Sequence, residues 1–273
     1  MKLNHRLTVL ISLMQELENY ISDQNIHKLL FIYCHKYACN SVYDFILVDN
    51  NPYCITIYED KKFLINKELL VDTSSWVLNQ ETFRFAKNLD MIEKLSLQKL
   101  KNDLEKGLII DDLIDENYAK YFKSQDIDQQ QVIFYTIGYE GLNLEQYLNK
   151  LLKHQIACLC DVRRNPYSQK FGFSKAELIH ALSIVNIEYI HIPDLGISSV
   201  LRQNIKNDSD YYNLLKHYET DILSHQSNNI KLLKDLLAKY RKLAITCFEA
   251  KISHCHRSKI ANLIRREYMV RHI

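Results

Sequence analysis

The second half of the chain alternates short apolar runs with amphipathic stretches of helical periodicity, which limits its fold to few classes. Apolar runs predict strands at residues 132–137, 156–160, 187–192 and 243–248. Helical periodicity predicts helices at residues 144–154, 175–185, 211–223, 230–240 and 258–266. Strands that alternate with helices pair in parallel, and the helices then cover both faces of the sheet. The pattern therefore predicts an α/β domain over residues 132–273, with a mostly parallel sheet flanked by helices.

The first 122 residues follow a different pattern. Helical periodicity covers residues 3–21, 26–37 and 89–105, and short strands are predicted at 42–48, 53–58 and 108–110. The strands at 42–48 and 53–58 flank a turn signal at 49–52. This order predicts a small winged-helix-like α+β domain over residues 1–122. Such a module fits either DNA contact or docking of a protein partner. The polar stretch at 123–131 predicts a linker.

The charge of the chain is unevenly distributed. Residues 131–273 contain 20 Lys and Arg against 13 Asp and Glu, a balance of +7, and residues 1–130 contain 15 against 20, a balance of −5. A basic half fits a phosphate-bearing partner, because phosphate contacts supply the sequence-independent part of nucleic-acid affinity. A solvated basic surface without such a partner is the alternative.

The chain has no apolar run near the ~20 residues that a membrane helix needs, so no membrane partner is expected. A short apolar stretch near the N-terminus is followed by polar residues and has no small-residue cleavage site, which disfavours a secretory signal. The seven cysteines form an odd set without a regular framework. They are expected to be thiols in a reducing compartment, and the predicted location is the cytoplasm.

In parallel α/β sheets, ligands bind beyond the carboxyl ends of the strands. The predicted site therefore lies at residues 138–141, 161–168, 193–196 and 247–257. Gly138 and Gly141 bracket Tyr139 in a turn between a strand and a helix. Such a turn lets backbone N–H groups approach an anion at a helix N-terminus. A tight turn without a ligand is the competing interpretation.

The second predicted strand ends in Asp161, and Arg163 and Arg164 follow it closely. Guanidinium groups suit phosphate because they offer paired, planar donors. Pro166 and Ser168 complete this segment. A purely structural Asp–Arg pair is the alternative.

The third group of polar residues follows the last predicted strand. Glu249 stands just beyond a buried run, where a carboxylate is costly without a purpose. Cys255, His256 and Arg257 stand where the last helix begins. A zinc site could be formed by Cys247, His254, Cys255 and His256. However, the C-x7-C spacing of the two cysteines matches no structural zinc pattern. A catalytic thiol aided by His256 is a further alternative. The favoured prediction has neither a metal nor another cofactor.

Four segments in order, TIGYEG, DVRRNPYSQKFGFSKAEL, IEYIHIPDLGI and CFEAKISHCHRSKIA, resemble the domain-of-unknown-function 488 family over about residues 133–265. The resemblance implies a Rossmann-like fold. It also implies a site at Gly138, Tyr139, Asp161, Arg163, Pro166, Ser168, Glu249, Cys255, His256 and Arg257. Members of the family often have an acidic residue two positions after the CFE glutamate, where this chain has Lys251. The N-terminal half is similar, more weakly, to a winged-helix-like extension of some members.

The function expected from these features is a nucleic-acid-directed hydrolase that cleaves an N-glycosidic bond, in DNA repair or anti-phage defence. Asp161 and Glu249 would act as paired carboxylates together with His256, by analogy with glycosidases. Arg163, Arg164 and Arg257 would hold phosphates, and Tyr139 or Phe171 would stack on a base. DNA is favoured over RNA as the partner, and a homodimer is compatible with the sequence. The alternatives are a non-enzymatic DNA-binding or regulatory module, and a nuclease or small-nucleotide hydrolase.

Overall fold

The computed structural model describes residues 3–71, 76–86, 88–107, 109–114, 128, 130–203 and 205–273. The chain divides into two compact units, residues 1–122 and residues 123–273. Most of the predicted linker at 123–131 lies outside the described residues.

The N-terminal unit is mainly helical. Its helices are α1 (His5–Glu16), α2 (Ile26–Ile32), α3 (Thr56–Asn66), α4 (Phe83–Ala86) and α5 (Met91–Glu105). Helix α1 begins after Asn4, whose side chain accepts a hydrogen bond from the backbone N–H of Leu7 at 2.8 Å. Asp90 caps α5 in the same way through the N–H of Glu93. These caps satisfy N–H groups that a helix N-terminus leaves without partners. The predicted helices at 3–21, 26–37 and 89–105 are confirmed in their central parts.

The two strands of this unit form a hairpin shorter than predicted. Strands β1 (Ile46–Val48) and β2 (Asn51–Tyr53) pair antiparallel around Asp49 and Asn50, which have φ values of 48° and 61°. Two consecutive residues at positive φ suit the right-handed twist of a two-residue hairpin. The predicted strand at 53–58 is therefore wrong beyond Tyr53, because α3 begins at Thr56.

Helix α3 buries Ile57 and Leu64, which are seven residues apart and so share one helix face. The predicted strand at 108–110 is also wrong at Ile110. Ile110 begins a short helical turn, Ile110–Leu113, and Leu108 lies outside the described residues. The winged-helix arrangement stays a prediction.

The C-terminal unit is an α/β domain with a five-stranded sheet. Its strands are β3 (Ile133–Gly138), β4 (Cys158–Asp161), β5 (Glu188–His191), β6 (Lys242–Cys247) and β7 (Met269–His272). The sheet order is β5-β4-β6-β3-β7, and every neighbouring pair is parallel. Its helices are α6 (Leu144–Lys153), α7 (Lys175–Ile184), α8 (Asp208–His217), α9 (Ser227–Tyr240) and α10 (Arg257–Ile264). The predicted Rossmann-like parallel sheet flanked by helices is confirmed.

The strand order places the predicted site. The chain runs outward from β3 through β4 to β5, then returns with β6 to the position between β4 and β3. In this register Gly138 pairs with Cys247, and Asp161 pairs with Thr246. The last residues of β3, β4 and β6 therefore lie side by side at one edge of the sheet. All residues of these three strands are buried, which makes this edge a rigid base for the loops that follow.

Candidate functional site

The carboxyl ends of β3, β4 and β6 open into a cleft of about 320 Å³. Its lining consists of Tyr139, Arg163, Arg164, Asn165, Tyr167, Ser168, Ile197, Ser199, Arg202, Cys247 and Phe248. Three of these side chains carry guanidinium groups, and none of the described residues in the lining carries a carboxylate. The cleft therefore favours an anionic ligand.

One wall of the cleft rests on a buried ion pair. Asp161 is fully buried, and its carboxylate accepts from Nε and Nη2 of Arg163, the latter at 2.5 Å. It also accepts from the hydroxyl of Tyr189 at 2.8 Å. Nη1 of Arg163 donates to the hydroxyl of Tyr139 at 2.9 Å and to the carbonyl of Phe173 at 2.8 Å. Both carboxylate oxygens and all three guanidinium nitrogens are thus engaged within the protein, and the pair holds the wall in place.

Arg202 and the residues after β6 form a second polar group, which we call the basal cluster: Arg202, Cys247, Glu249, Cys255 and His256. Arg202 forms an ion pair with Glu249, and its Nη2 lies 3.3 Å from Nδ1 of His256 and 4.0 Å from Sγ of Cys247. Sγ of Cys247 lies 3.1 Å from Oε2 of Glu249. Arg202 and Cys247 line the cleft, so the cluster forms its floor.

The thiols and carboxyl of the basal cluster have shifted pKa values. Burial alone would raise the pKa of the Cys247 thiol. A hydrogen bond from Cys255 and the neighbouring His256 and Arg202 instead hold that pKa well below its ordinary value. Burial raises the pKa of Glu249, and Cys247 raises it further. The contact between Cys247 and Glu249 is a hydrogen bond only when one of the two groups carries a proton.

Arg257 organises the loop that carries the cluster. It is the first residue of α10 and is only 2% exposed. Its Nη2 donates to the backbone carbonyl of Glu249, and its Nε donates to Sγ of Cys255 at 3.1 Å. These contacts tie the start of α10 to the residue that follows β6. The structure therefore places Arg257 behind the cleft, among the groups that position Glu249.

The predicted site residues divide into two sets. Tyr139, Arg163, Arg164 and Ser168 line the cleft, whereas Asp161, Glu249, Cys255, His256 and Arg257 lie beneath or behind its lining. Gly138 ends β3 against the backbone of Glu249. Pro166 and Phe171 are not among the lining residues of this cleft. His254 points elsewhere, because it pairs with Asp208 and stacks on Tyr211.

The aromatic side chains of the cleft differ in accessibility. Tyr139 stacks on Phe173 with ring centroids 4.3 Å apart and is 3% exposed, so little of its ring is free to receive a base. Tyr167 and Phe248 are 71% and 44% exposed. They are better placed for stacking than Tyr139.

Sequence reasoning missed Arg202, Tyr167 and Phe248 as site residues. Arg202 ends a short helical turn, Ser199–Arg202, in the irregular segment after β5. The sequence offered one indication of Arg202, which was its position after β5. The segment after β5 leaves the sheet at the same edge as the motifs that follow β4 and β6. Tyr167 and Phe248 lay within segments already selected, next to Pro166 and Glu249.

Gly138 is required by the close approach of two backbones. A Cβ added there would lie 2.0 Å from the carbonyl oxygen of Glu249 and 2.8 Å from Nη2 of Arg257. We expect Gly138→Ala to destabilise the C-terminal unit by about 3 kcal/mol, the upper end of the usual cost of overpacking, because a backbone cannot rotate away. Chemical denaturation measures this loss.

Gly141→Ala is the matched control. No atom of the described residues lies within 4 Å of the Cβ added at Gly141. The cost comes from its φ of 79°, which residues with a side chain rarely adopt. We expect about 1 kcal/mol for this variant. A Gly138→Ala protein as stable as the Gly141→Ala protein would contradict the close approach.

A larger hollow of about 520 Å³ lies in the N-terminal unit. Its lining mixes Glu16, Glu81, Arg84 and Lys94 with glutamines and apolar residues. These charges oppose one another, and this lining contains neither cysteine nor histidine. The cleft of the C-terminal unit is therefore the better candidate for chemistry.

Comparison with known proteins gives one assignment. Residues 143–264 match the family model described as "Domain of unknown function DUF488". The C-terminal part of the chain is therefore similar to this family over these residues, as its motifs predicted. No curated protein and no solved structure matches the chain. Among the described residues, no helix combines the length and apolar character needed to cross a membrane.

Proposed function

We propose that the C-terminal unit is a hydrolase that acts on a nucleotide unit and cleaves its N-glycosidic bond. The observation that carries this proposal is the position of Glu249, paired with Arg202 at the floor of a cleft lined by guanidinium groups. Glu249 retains a small exposed fraction, 12% of its side chain, and touches Cys247 and Arg202 of the lining.

The size and chemistry of the cleft support a nucleotide. Small-molecule sites usually occupy about 300–1,000 Å³, and this cleft, at about 320 Å³, has room for one small ligand unit. Arg164 and Arg202 would bind phosphate, because guanidinium groups form strong charge-assisted hydrogen bonds to it. Among the described residues, the buried Nε of Arg202 has no hydrogen-bond partner. Tyr167 or Phe248 would stack on the base.

The proposed chemistry uses one carboxyl group. Glu249 in its protonated form gives its proton to the leaving base as the carbon–nitrogen bond breaks. Water adds to the sugar carbon, and the proton that this water loses returns to the Glu249 carboxylate. Asp161 would act through Arg163 as a positioning residue, since both of its oxygens are engaged. A magnesium-dependent nuclease is less well supported, because Mg²⁺ prefers several carboxylate oxygens. Among the described residues, the one carboxylate that we place at the floor of the cleft, Glu249, is already paired with Arg202.

The favoured substrate is a single nucleotide of DNA in the cytoplasm, flipped out of its strand. Enzymes that act on a base extrude it into a pocket of this kind. The size of the cleft equally favours a free nucleotide, which is the second candidate function.

The test is to incubate the full chain with free nucleotides and with single-stranded and duplex oligonucleotides that contain normal and damaged bases. We expect released base, detected by chromatography and mass spectrometry, and in DNA a matching number of alkali-labile abasic sites. Arg164→Ala should weaken substrate binding by about tenfold or more, the loss of one charge-assisted hydrogen bond. Arg265→Ala, an exposed arginine at the end of α10, is the control for lost charge.

The outcomes separate the alternatives. Release from free nucleotides alone selects the second candidate. Salt-sensitive DNA binding without released base would contradict the enzyme and favour a binding module.

A further inference from the structure

The basal cluster also contains the donor atoms of a metal site. Sγ of Cys247, Sγ of Cys255 and Nδ1 of His256 all lie within 4.8 Å of one another. Nδ1 lies 3.7 Å from Sγ of Cys247 and 3.9 Å from Sγ of Cys255. In a tetrahedral zinc site, ordinary bond lengths separate sulfur and nitrogen ligands by about 3.6 Å. The three atoms are therefore close to the spacing that a zinc ion needs.

The orientation of His256 suits metal binding. Its Nε2 lies 3.1 Å from the backbone carbonyl of Val162. Since a carbonyl oxygen only accepts, Nε2 carries the hydrogen, and in the neutral ring the lone pair is on Nδ1. Metal-binding histidines are typically oriented this way, with the second ring nitrogen donating to a carbonyl or carboxylate. Nδ1 faces the two cysteine sulfurs.

Two cationic side chains lie against the sulfurs, and a nearby positive charge favours the thiolate form that binds metal. Arg257 donates through Nε to Cys255 at 3.1 Å. The guanidinium of Arg202 contacts Cys247, Glu249 and His256, so a cation already balances the charge of these groups. Arg202 lies in a short turn and is partly exposed, which allows it to move when an ion binds.

We propose that Cys247, Cys255 and His256 bind one zinc-class divalent ion, with its fourth position open to the cleft beside Glu249. Sulfur and imidazole donors select zinc over magnesium or calcium. Three protein ligands with an open position are typical of catalytic rather than structural zinc, which explains why C-x7-C matches no structural pattern. Zinc enzymes that hydrolyse carbon–nitrogen bonds of nucleobases use such a donor set with an adjacent glutamate.

The test measures binding without a substrate, so it stands independently of the proposed hydrolysis. The full chain is dialysed against zinc, freed of unbound ion and analysed by elemental mass spectrometry, and cobalt(II) is titrated by absorbance. We expect one zinc per chain, thiolate-to-cobalt charge transfer and the visible bands of tetrahedral cobalt. Zinc should also raise the Tm, because an ion that binds only the folded chain stabilises it.

Cys247→Ser, Cys255→Ser and His256→Ala should each weaken zinc binding by on the order of 100-fold or more, since even outer-shell substitutions cost 10–100-fold. His254→Ala and Cys39→Ser are matched controls outside the cluster and should bind as the natural chain does. Circular dichroism shows whether each variant is folded.

Three results would overturn the site. They are no bound ion in the folded natural chain, unchanged binding in all three ligand variants, and equal alkylation of Cys247 with and without zinc. The last result would indicate a reactive thiol in place of a metal ligand.

Discussion

We expect Glu249→Gln to abolish nearly all base release and to lower kcat by about 10²- to 10⁴-fold, the usual contribution of a general acid–base group. The amide retains the shape of the side chain and an oxygen that can accept from Arg202, but it cannot transfer a proton. Substrate affinity should change little, because Arg164 and the other phosphate-binding side chains of the lining are unchanged. Single-turnover measurement of released base, together with direct binding of substrate, separates the two quantities.

Glu188→Gln is the control for the loss of one negative charge. Glu188 is exposed at the amino end of β5, the opposite edge of the sheet from the cleft. The Glu188→Gln variant should have the same kcat and the same substrate affinity as the natural chain. If Glu249→Gln released base at the natural rate, the role of Glu249 would be lost. If instead binding and kcat fell together with the Tm, Glu249 would be a structural residue.

The edge of the sheet that carries the site was predictable from sequence, because it depends on a local pattern. Alternating strands and helices place Gly138, Asp161 and Cys247 at one edge of any parallel sheet that they form. The hairpin of β1 and β2 shows the limit of such patterns. Residues 53–58 are rich in aromatic and β-branched side chains, as strands are, yet the pairing ends at Tyr53 and a helix begins at Thr56.

The partners of each site residue were not predictable, because they come from elements far apart in the chain. Arg163 is engaged by Tyr139 after β3 and by Phe173 before α7, as well as by Asp161. Arg202 precedes Glu249 by 47 residues in the chain, yet their side chains are paired. Strand β7 was missed because an edge strand is only partly buried and shows no continuous apolar run.

We expect Asp161→Asn to destabilise the C-terminal unit by about 3–5 kcal/mol, because removing one partner of a buried ion pair leaves the other charge uncompensated. Asp161 is fully buried and Arg163 is 6% exposed, so water replaces little of the lost interaction. The asparagine also places an N–H₂ group where the carboxylate accepted from Arg163 and Tyr189. Urea denaturation gives the free energy of unfolding, and hydrogen exchange of the β4 and β6 amides localises the loss.

Asp194→Asn is the matched control, since it removes the carboxylate from an exposed pair on the same stretch of sheet edge. Arg164 and Asp194 lie 2.5 Å apart, but their side chains are 53% and 58% exposed. Exposed pairs contribute about 0–1 kcal/mol, so this variant should be nearly as stable as the natural chain. Equal stability of the Asp161 and Asp194 variants would contradict the structural role of Asp161. An Asp161→Asn protein that keeps full stability yet loses base release would contradict the stability prediction and would assign Asp161 a role in catalysis, either directly or through Arg163.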